Sequence, residues 1–214
     1  MPAGHPFRFP RLVRARAAAA ALALVHALAG AAPWLDETPR VAVISAFPAE
    51  LELLLQRVQG ARQHRANGVT FTTGELQGKP VVLLLSGISM TNAAMNTQLA
   101  LDRFKVTHIV YSGIAGGVNP ALHIGDVTVP QRWGQYLEVL VARETAPGVF
   151  TPPVWMDDVK LPRFGANHPR PVEVRSAANP KEHKKFWFEV DPALLAVARG
   201  IQGTALADCD AARK

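Results

Sequence analysis

Three short stretches of this chain carry residue types that could do chemistry on a ligand. The first is Glu50, in Phe47-Pro-Ala-Glu50, directly after the apolar run Val41-Ala-Val-Ile-Ser45. Open α/β sheets place their ligand crevices outside the carboxyl ends of their strands. A carboxylate in the first turn of the helix that follows is held ionised by the helix dipole, and there it can hold or deprotonate a water. The same position also suits a residue that only complements the dipole or satisfies a free N–H at the helix start. Glu52 is the weaker candidate, two residues on and facing another side of the helix.

The second stretch is Ser86-Gly-Ile-Ser89, a break between a buried apolar run and a helix. Such a turn offers N–H groups to an oxygen or an anion, or is simply a strand-to-helix connection. It lacks the lysine and second glycine of a P-loop. The third is the glycine loop of Thr107-His-Ile-Val-Tyr-Ser-Gly-Ile-Ala-Gly-Gly117. Gly113, Gly116 and Gly117 are free to take φ > 0 and bring bare backbone against a ligand; a tight turn without a ligand is the plainer alternative. The loop is not a dinucleotide fingerprint, because G-x-x-G-G is the wrong spacing, Asn119-Pro120 discourages a helix, and Asp126-Val-Thr-Val129 reads as a strand.

Regular elements are needed to position these groups, and they are legible from Arg40 onward. Val41 to Ser45 reads as a strand, and Pro48 to Val58 as a helix with proline in its first turn. Val69 to Glu75 alternates, Gln77-Gly-Lys-Pro80 turns, and Val81 to Ser86 is a buried strand. Thr91 to Phe104 reads as a helix and Val106 to Ser112 as a strand. Strands alternating with helices, together with one antiparallel hairpin, predict an α/β fold: a mixed twisted β-sheet flanked by helices. Between Ala146 and Pro192 the prolines at 147, 152, 153, 162, 169, 171, 180 and 192 forbid long elements. That segment, 146–192, reads as a surface excursion, either a partly ordered loop or a lid or subunit contact. Phe186 to Val190 resumes as a strand and Asp191-Pro192 opens a helix through Arg199.

Composition narrows the partners. With 214 residues and 49% hydrophobic content the chain can bury the core of one domain. The net charge of +6 falls to +2 once Arg8, Arg11, Arg14 and Arg16 are set aside, since residues 1–31 hold no acid. That excess implies no nucleic-acid partner. The four arginines precede the alanine-rich run Ala17 to Ala29, too short to span a bilayer, with small-residue sites at Ala27-Leu-Ala29 and Ala29-Gly-Ala31. Residues 1–31 are therefore expected to be a signal peptide, 32–39 a linker and 40–214 the domain, with secreted or periplasmic localisation and no stable membrane insertion after cleavage. An amphipathic N-terminal helix or an uncleaved anchor is the alternative. Cys209 stands alone and the seven histidines show no metal-ligand spacing.

The order Val41-Ala-Val-Ile-Ser-Ala-Phe-Pro-Ala-Glu50, Gly74-Glu-Leu-Gln-Gly-Lys79, Leu84-Leu-Ser-Gly-Ile88, Ser112-Gly-Ile-Ala-Gly-Gly117 and Ile124-Gly-Asp-Val-Thr-Val-Pro130 resembles the nucleoside phosphorylase superfamily. Within it the chain is most similar to the methylthioadenosine/S-adenosylhomocysteine nucleosidases and the bark-storage-like proteins, over residues 40–145. The resemblance implies a homodimer or larger oligomer, a small-molecule nucleoside as partner, and cleavage of a purine nucleoside's N-glycosidic bond with no metal or organic cofactor. By position, Glu50 matches the glutamate that activates the attacking water. Ala46 and Ile88 match pocket-wall positions, and Gly116 matches the loop glycine whose backbone meets the ligand.

Two departures bear on the chemistry. Where family phosphorylases carry an arginine and a serine that hold phosphate, this chain has Tyr111 and Ile114. That favours hydrolysis over phosphorolysis. The family's Met-Glu pair and Ser-Asp acid have no match after Val190, and Asp208 and Asp210 do not fill the gap, so the fold is expected to be incomplete at the C-terminus. A non-catalytic nucleoside-binding or storage-type protein on the same fold is the competing expectation.

Overall fold

The computed structural model describes residues 34–156 and 160–201. The expected signal peptide, together with Cys209, Asp208 and Asp210, lies outside the described residues. The chain divides into two compact units after Gly116.

The first unit is built on a five-stranded mixed sheet of order β2-β3-β4-β1-β5. Its strands are β1 (Asp36–Ser45), β2 (Gln59–Ala66), β3 (Val69–Leu76), β4 (Lys79–Leu85) and β5 (Phe104–Tyr111). β1 runs parallel to both β4 and β5, while β2, β3 and β4 form an antiparallel meander. Helix α1 (Pro48–Arg57) follows β1, and α2 (Met90–Arg103) links β4 to β5.

The apolar runs in β1 and β4 are unbroken because the sheet is covered on both faces. Val43, Val81 and Leu83 join Leu51 of α1 in one buried cluster. Ala42, Ile44, Val82 and Leu84 turn the other way, onto Ala100 of α2 with Phe71 and Phe104. The two phenylalanine rings lie 5.1 Å apart and are fully buried.

Both hairpins close through two-residue turns with φ > 0 at each position: Asn67-Gly68 (46° and 79°) and Gln77-Gly78 (49° and 71°). That is the turn whose twist matches the strands it joins. β2 was not foreseen. Its polar sequence has no apolar alternation, and as an edge strand it needs none on its solvent side.

β1 begins at Asp36, inside the segment expected to be linker. Asp36 pairs in register with Phe104 and holds Arg40 through two hydrogen bonds of 3.1 and 3.0 Å. Arg40 also donates to the carbonyls of Gly74 and Val81, which ties β1 to the meander.

The second unit consists of short antiparallel ribbons. β6 (Arg132–Gly134) pairs with β13 (Trp187–Glu189), β7 (Val139–Val141) with β10 (Asn167–Pro169), β8 (Arg143–Ala146) with β9 (Val149–Thr151), and β11 (Val172–Val174) with β12 (His183–Lys185). The proline-rich excursion is thus strung with paired three- to four-residue strands rather than one loose loop. Helix α3 (Pro192–Gly200) starts where expected, and Asp191 accepts from the N–H groups of Ala193 and Leu194.

One expectation is overturned. Asp126–Val129 is not a strand: it has no ladder partner, and Val127 and Val129 are 71% and 57% exposed. Alternation makes a strand only where a neighbour takes the backbone hydrogen bonds and a core takes the apolar face.

Candidate functional site

Three parallel strands, β4, β1 and β5, end side by side, and each runs into a serine: Ser86, Ser45 and Ser112. These residues knit the edge together. Ser86 N–H donates to the Ser45 carbonyl at 2.8 Å, Ser112 N–H to the Ile44 carbonyl at 2.9 Å, and Ser45 Oγ to the Ser112 carbonyl at 2.8 Å. Ser45 and Ser86 are fully buried. They give the strand ends a polar floor.

Glu50 stands over this floor. α1 begins at Pro48, which pre-sets the first helical φ, and Glu50 falls in that first turn with its side chain folded back toward β1. Its Oε2 accepts from Ala46 N–H at 2.7 Å and Phe47 N–H at 3.4 Å, and its Oε1 accepts from Ile114 N–H at 2.8 Å. The helix-capping role and the site role therefore coincide in one carboxylate, because Phe47 is the N-cap. Burial on its own pushes the Glu50 carboxyl up, but the N–H groups of Ile114, Ala46 and Phe47 outweigh it. The net result is a pKa below the ordinary carboxylate value. Glu50 is thus a firmly held anion with room on Oε1 for one more donor, such as a water.

The glycine loop is placed as the sequence implied, for a different reason. None of Gly113, Gly116 and Gly117 takes a positive φ. Gly113 is there because a Cβ would sit 2.7 Å from Glu50 Oε1 and 2.9 Å from its carboxyl carbon. Nothing lies within 4 Å of a Cβ at Gly116.

Of the site residues named from sequence, the structure brings Glu50 and Ala46 into direct contact. Ile88, 73% exposed, lies in the turn after β4, and Gly116 at the far end of the loop after β5; both are on the edge that carries Glu50. Glu52 faces away, accepting a bond from Gln56 at 3.4 Å. Tyr111, read from sequence only as a missing phosphate ligand, meets Ser86 Oγ at 2.8 Å. Asn96 and Asn92 of α2, which the sequence did not single out, complete the edge by donating to the carbonyls of Ser86 (2.7 Å) and Ile88 (2.8 Å). Among the described residues no cluster of three His, Cys, Asp or Glu side chains is placed to hold a metal ion.

Residues 40–212 match the family model described as "Phosphorylase superfamily". Among curated proteins, the 5'-methylthioadenosine/S-adenosylhomocysteine nucleosidase of Bacillus subtilis is 41% identical over 90 residues, which is 42% of this chain and 39% of that protein. The protein of the same name from Bacillus pumilus is 40% identical over the same shares. The chain thus spans 39% of the length of these curated relatives. Among solved structures, the nucleosidase of Neisseria meningitidis in complex with methylthio-immucillin-A superposes with a TM-score of 0.54 at 23% identity, over 76% of this chain and 57% of that one. The Colwellia psychrerythraea enzyme with adenine gives 0.53 at 24%, over 76% and 55%. At these identities the likeness is one of fold.

Proposed function

Since the chain belongs to the phosphorylase superfamily, we propose that its Glu50 crevice serves hydrolysis of the N-glycosidic bond of a purine nucleoside of the methylthioadenosine or S-adenosylhomocysteine type. The observation that carries this reading is the carboxylate held by three backbone N–H groups at the ends of parallel strands. Departure of a purine leaves an oxocarbenium-like sugar. An ionised Glu50 stabilises that positive charge and orients a water toward it. With its pKa lowered, Glu50 acts chiefly as a fixed anion and accepts the water's proton as the sugar cation forms.

Water rather than phosphate as the nucleophile is supported by the two positions that differ from the family phosphorylases. The Ile114 N–H is committed to Glu50, and the Tyr111 hydroxyl to Ser86. Neither side chain offers a cation to phosphate. Incubation with methylthioadenosine in phosphate-free buffer tests the reading: release of adenine and free methylthioribose supports it, and turnover that depends on phosphate refutes it.

A second reading is a nucleoside-binding or storage-type protein without turnover. It is favoured by the charge at the edge: within the first unit's described residues, Glu50 is the acid at the strand ends. Asp36, Glu37 and Glu75 lie at the opposite edge, Glu52 accepts from Gln56 along α1, and Asp102 lies in the last turn of α2. Departure of the purine calls for a general acid on the base. Calorimetric binding of adenine without turnover would select this second reading.

The expected assembly is a homo-oligomer, and the expected location secreted or periplasmic, from the arginines at 8, 11, 14 and 16 ahead of the alanine-rich run. Cell fractionation with N-terminal sequencing tests the location: recovery outside the cytoplasm with cleavage near Ala29 or Ala31 supports export, and recovery from the cytoplasm alone with Met1 intact contradicts it.

A further inference from the structure

Tyr111 and Ser86 belong to segments that are not neighbours. β1 lies between β4 and β5, and adjacent strands stand about 4.8 Å apart. The phenol must therefore reach over the end of β1 to meet Ser86 Oγ at 2.8 Å. Ser86 has one hydroxyl proton, and it points at the Gly87 carbonyl 3.0 Å away. The Tyr111 hydroxyl is then the donor and Ser86 the relay. The two hydroxyls form one hydrogen-bonded chain from β5 to the backbone of the turn after β4.

That turn is strained. Gly87 takes φ 77°, and Ser89 takes φ 115° with ψ 155°, a region that is essentially reserved for glycine. A serine stays there only if its surroundings impose it. Three of the ties that do so come from α2: Asn92 N–H to Ser89 Oγ (3.2 Å), Asn92 Nδ2 to the Ile88 carbonyl (2.8 Å) and Asn96 Nδ2 to the Ser86 carbonyl (2.7 Å). Tyr111 supplies the tie from the other side of β1. What the turn presents is Ile88, an apolar side chain 73% exposed at the crevice edge.

We propose that Tyr111 is a positioning residue for ligand binding: through Ser86 its hydroxyl holds the strained Ser86–Ser89 turn so that Ile88 stands as a wall against the nucleoside. The ligand class rests on the function proposed above; the claim about the turn does not.

Tyr111→Phe removes the hydroxyl and nothing else. With one hydrogen bond lost, the amides of Gly87, Ile88 and Ser89 are expected to exchange with solvent about two- to tenfold faster, while those of Val81 to Leu84 stay as they were. Ser86→Ala breaks the relay at its other member and must reproduce the change. Ser89→Gly relieves the strain and also removes the Asn92 N–H to Ser89 Oγ tie, so Tyr111→Phe is compared within that background, where it should alter the exchange of the turn far less. Turn amides that exchange at the unaltered rate in Tyr111→Phe, or an equal effect with and without Ser89→Gly, would overturn the proposal. Titration with adenine should show Kd raised about two- to tenfold by Tyr111→Phe, and any turnover should show a raised KM with kcat unchanged. Unaltered chain that binds no adenine would remove the nucleoside reading, and the exchange comparison would still decide the role of Tyr111.

Discussion

Gly113→Ala is the perturbation whose size the structure sets most closely. The new Cβ would lie 2.7 Å from Glu50 Oε1, 2.9 Å from the carboxyl carbon and 3.0 Å from Oε2. Ordinary contact begins near 3.4 Å, so the carboxylate or the loop must give by about 0.7 Å. A retreat of that size takes the 2.8 Å bond from Ile114 N–H out to about 3.5 Å, past useful hydrogen-bond geometry. A bond to a charged acceptor contributes about 1.5–3 kcal/mol, so unfolding stability should fall by roughly 1–3 kcal/mol. The Glu50 pKa should rise toward the ordinary carboxylate value as its donors withdraw. Denaturant unfolding measures the first, and carbon-detected NMR titration of the Glu50 carboxyl measures the second. Gly116→Ala is the internal control, because a Cβ there meets nothing within 4 Å and no positive φ is required. If Gly113→Ala leaves both the stability and the Glu50 titration unchanged, or if Gly116→Ala matches it, the close-packed account of the loop is refuted.

Other perturbations reach separate parts of the structure. Glu50→Gln keeps one acceptor but turns an NH2 group toward a backbone N–H; stability should drop by about 1–3 kcal/mol and any glycosidic cleavage by ~100-fold or more, read from denaturant unfolding and adenine release. The Asp36 carboxyl is held down to about 2 by its hydrogen bonds from Arg40. A depressed pKa contributes stability above the unfolded value near 3.8 that is lost as pH falls toward 2. An acid titration of stability should therefore lose ~1–2 kcal/mol in that window, and Asp36→Asn should flatten it. Leu84→Ala, in the cluster under α2, should cost about 2–5 kcal/mol by thermal unfolding.

The elements that hold the site were legible because burial on both faces of a sheet leaves long apolar runs. β1, β4, α1, α2 and β5 all appear within a few residues of where periodicity puts them, β1 excepted at its start. β2 was not legible, since it is held mainly by its ladder to β3, with only Ala66 and the His64 ring reaching the core, too few contacts to leave an apolar alternation. Asp126–Val129 has the alternation of a strand and no partner to pair with, and a pattern of side chains cannot report a missing neighbour. Within the site, Glu50 was legible from its position after a strand, but its three donors are backbone N–H groups, which leave no mark on sequence. Gly113 was legible as a glycine that matters, while its reason, contact with Glu50 rather than a positive φ, lies in a neighbour 63 residues away along the chain. The Tyr111–Ser86 bond joins residues 25 apart across an intervening strand, and no local spacing announces it.

Release of adenine from methylthioadenosine in phosphate-free buffer, measured side by side for the unaltered chain and Glu50→Gln at matched folded concentration, tests the central claim most directly. Free methylthioribose is expected from the first and a loss of at least about 100-fold in the second. Equal rates from the two would contradict it, because the carboxylate at the strand ends would then have no part in the chemistry.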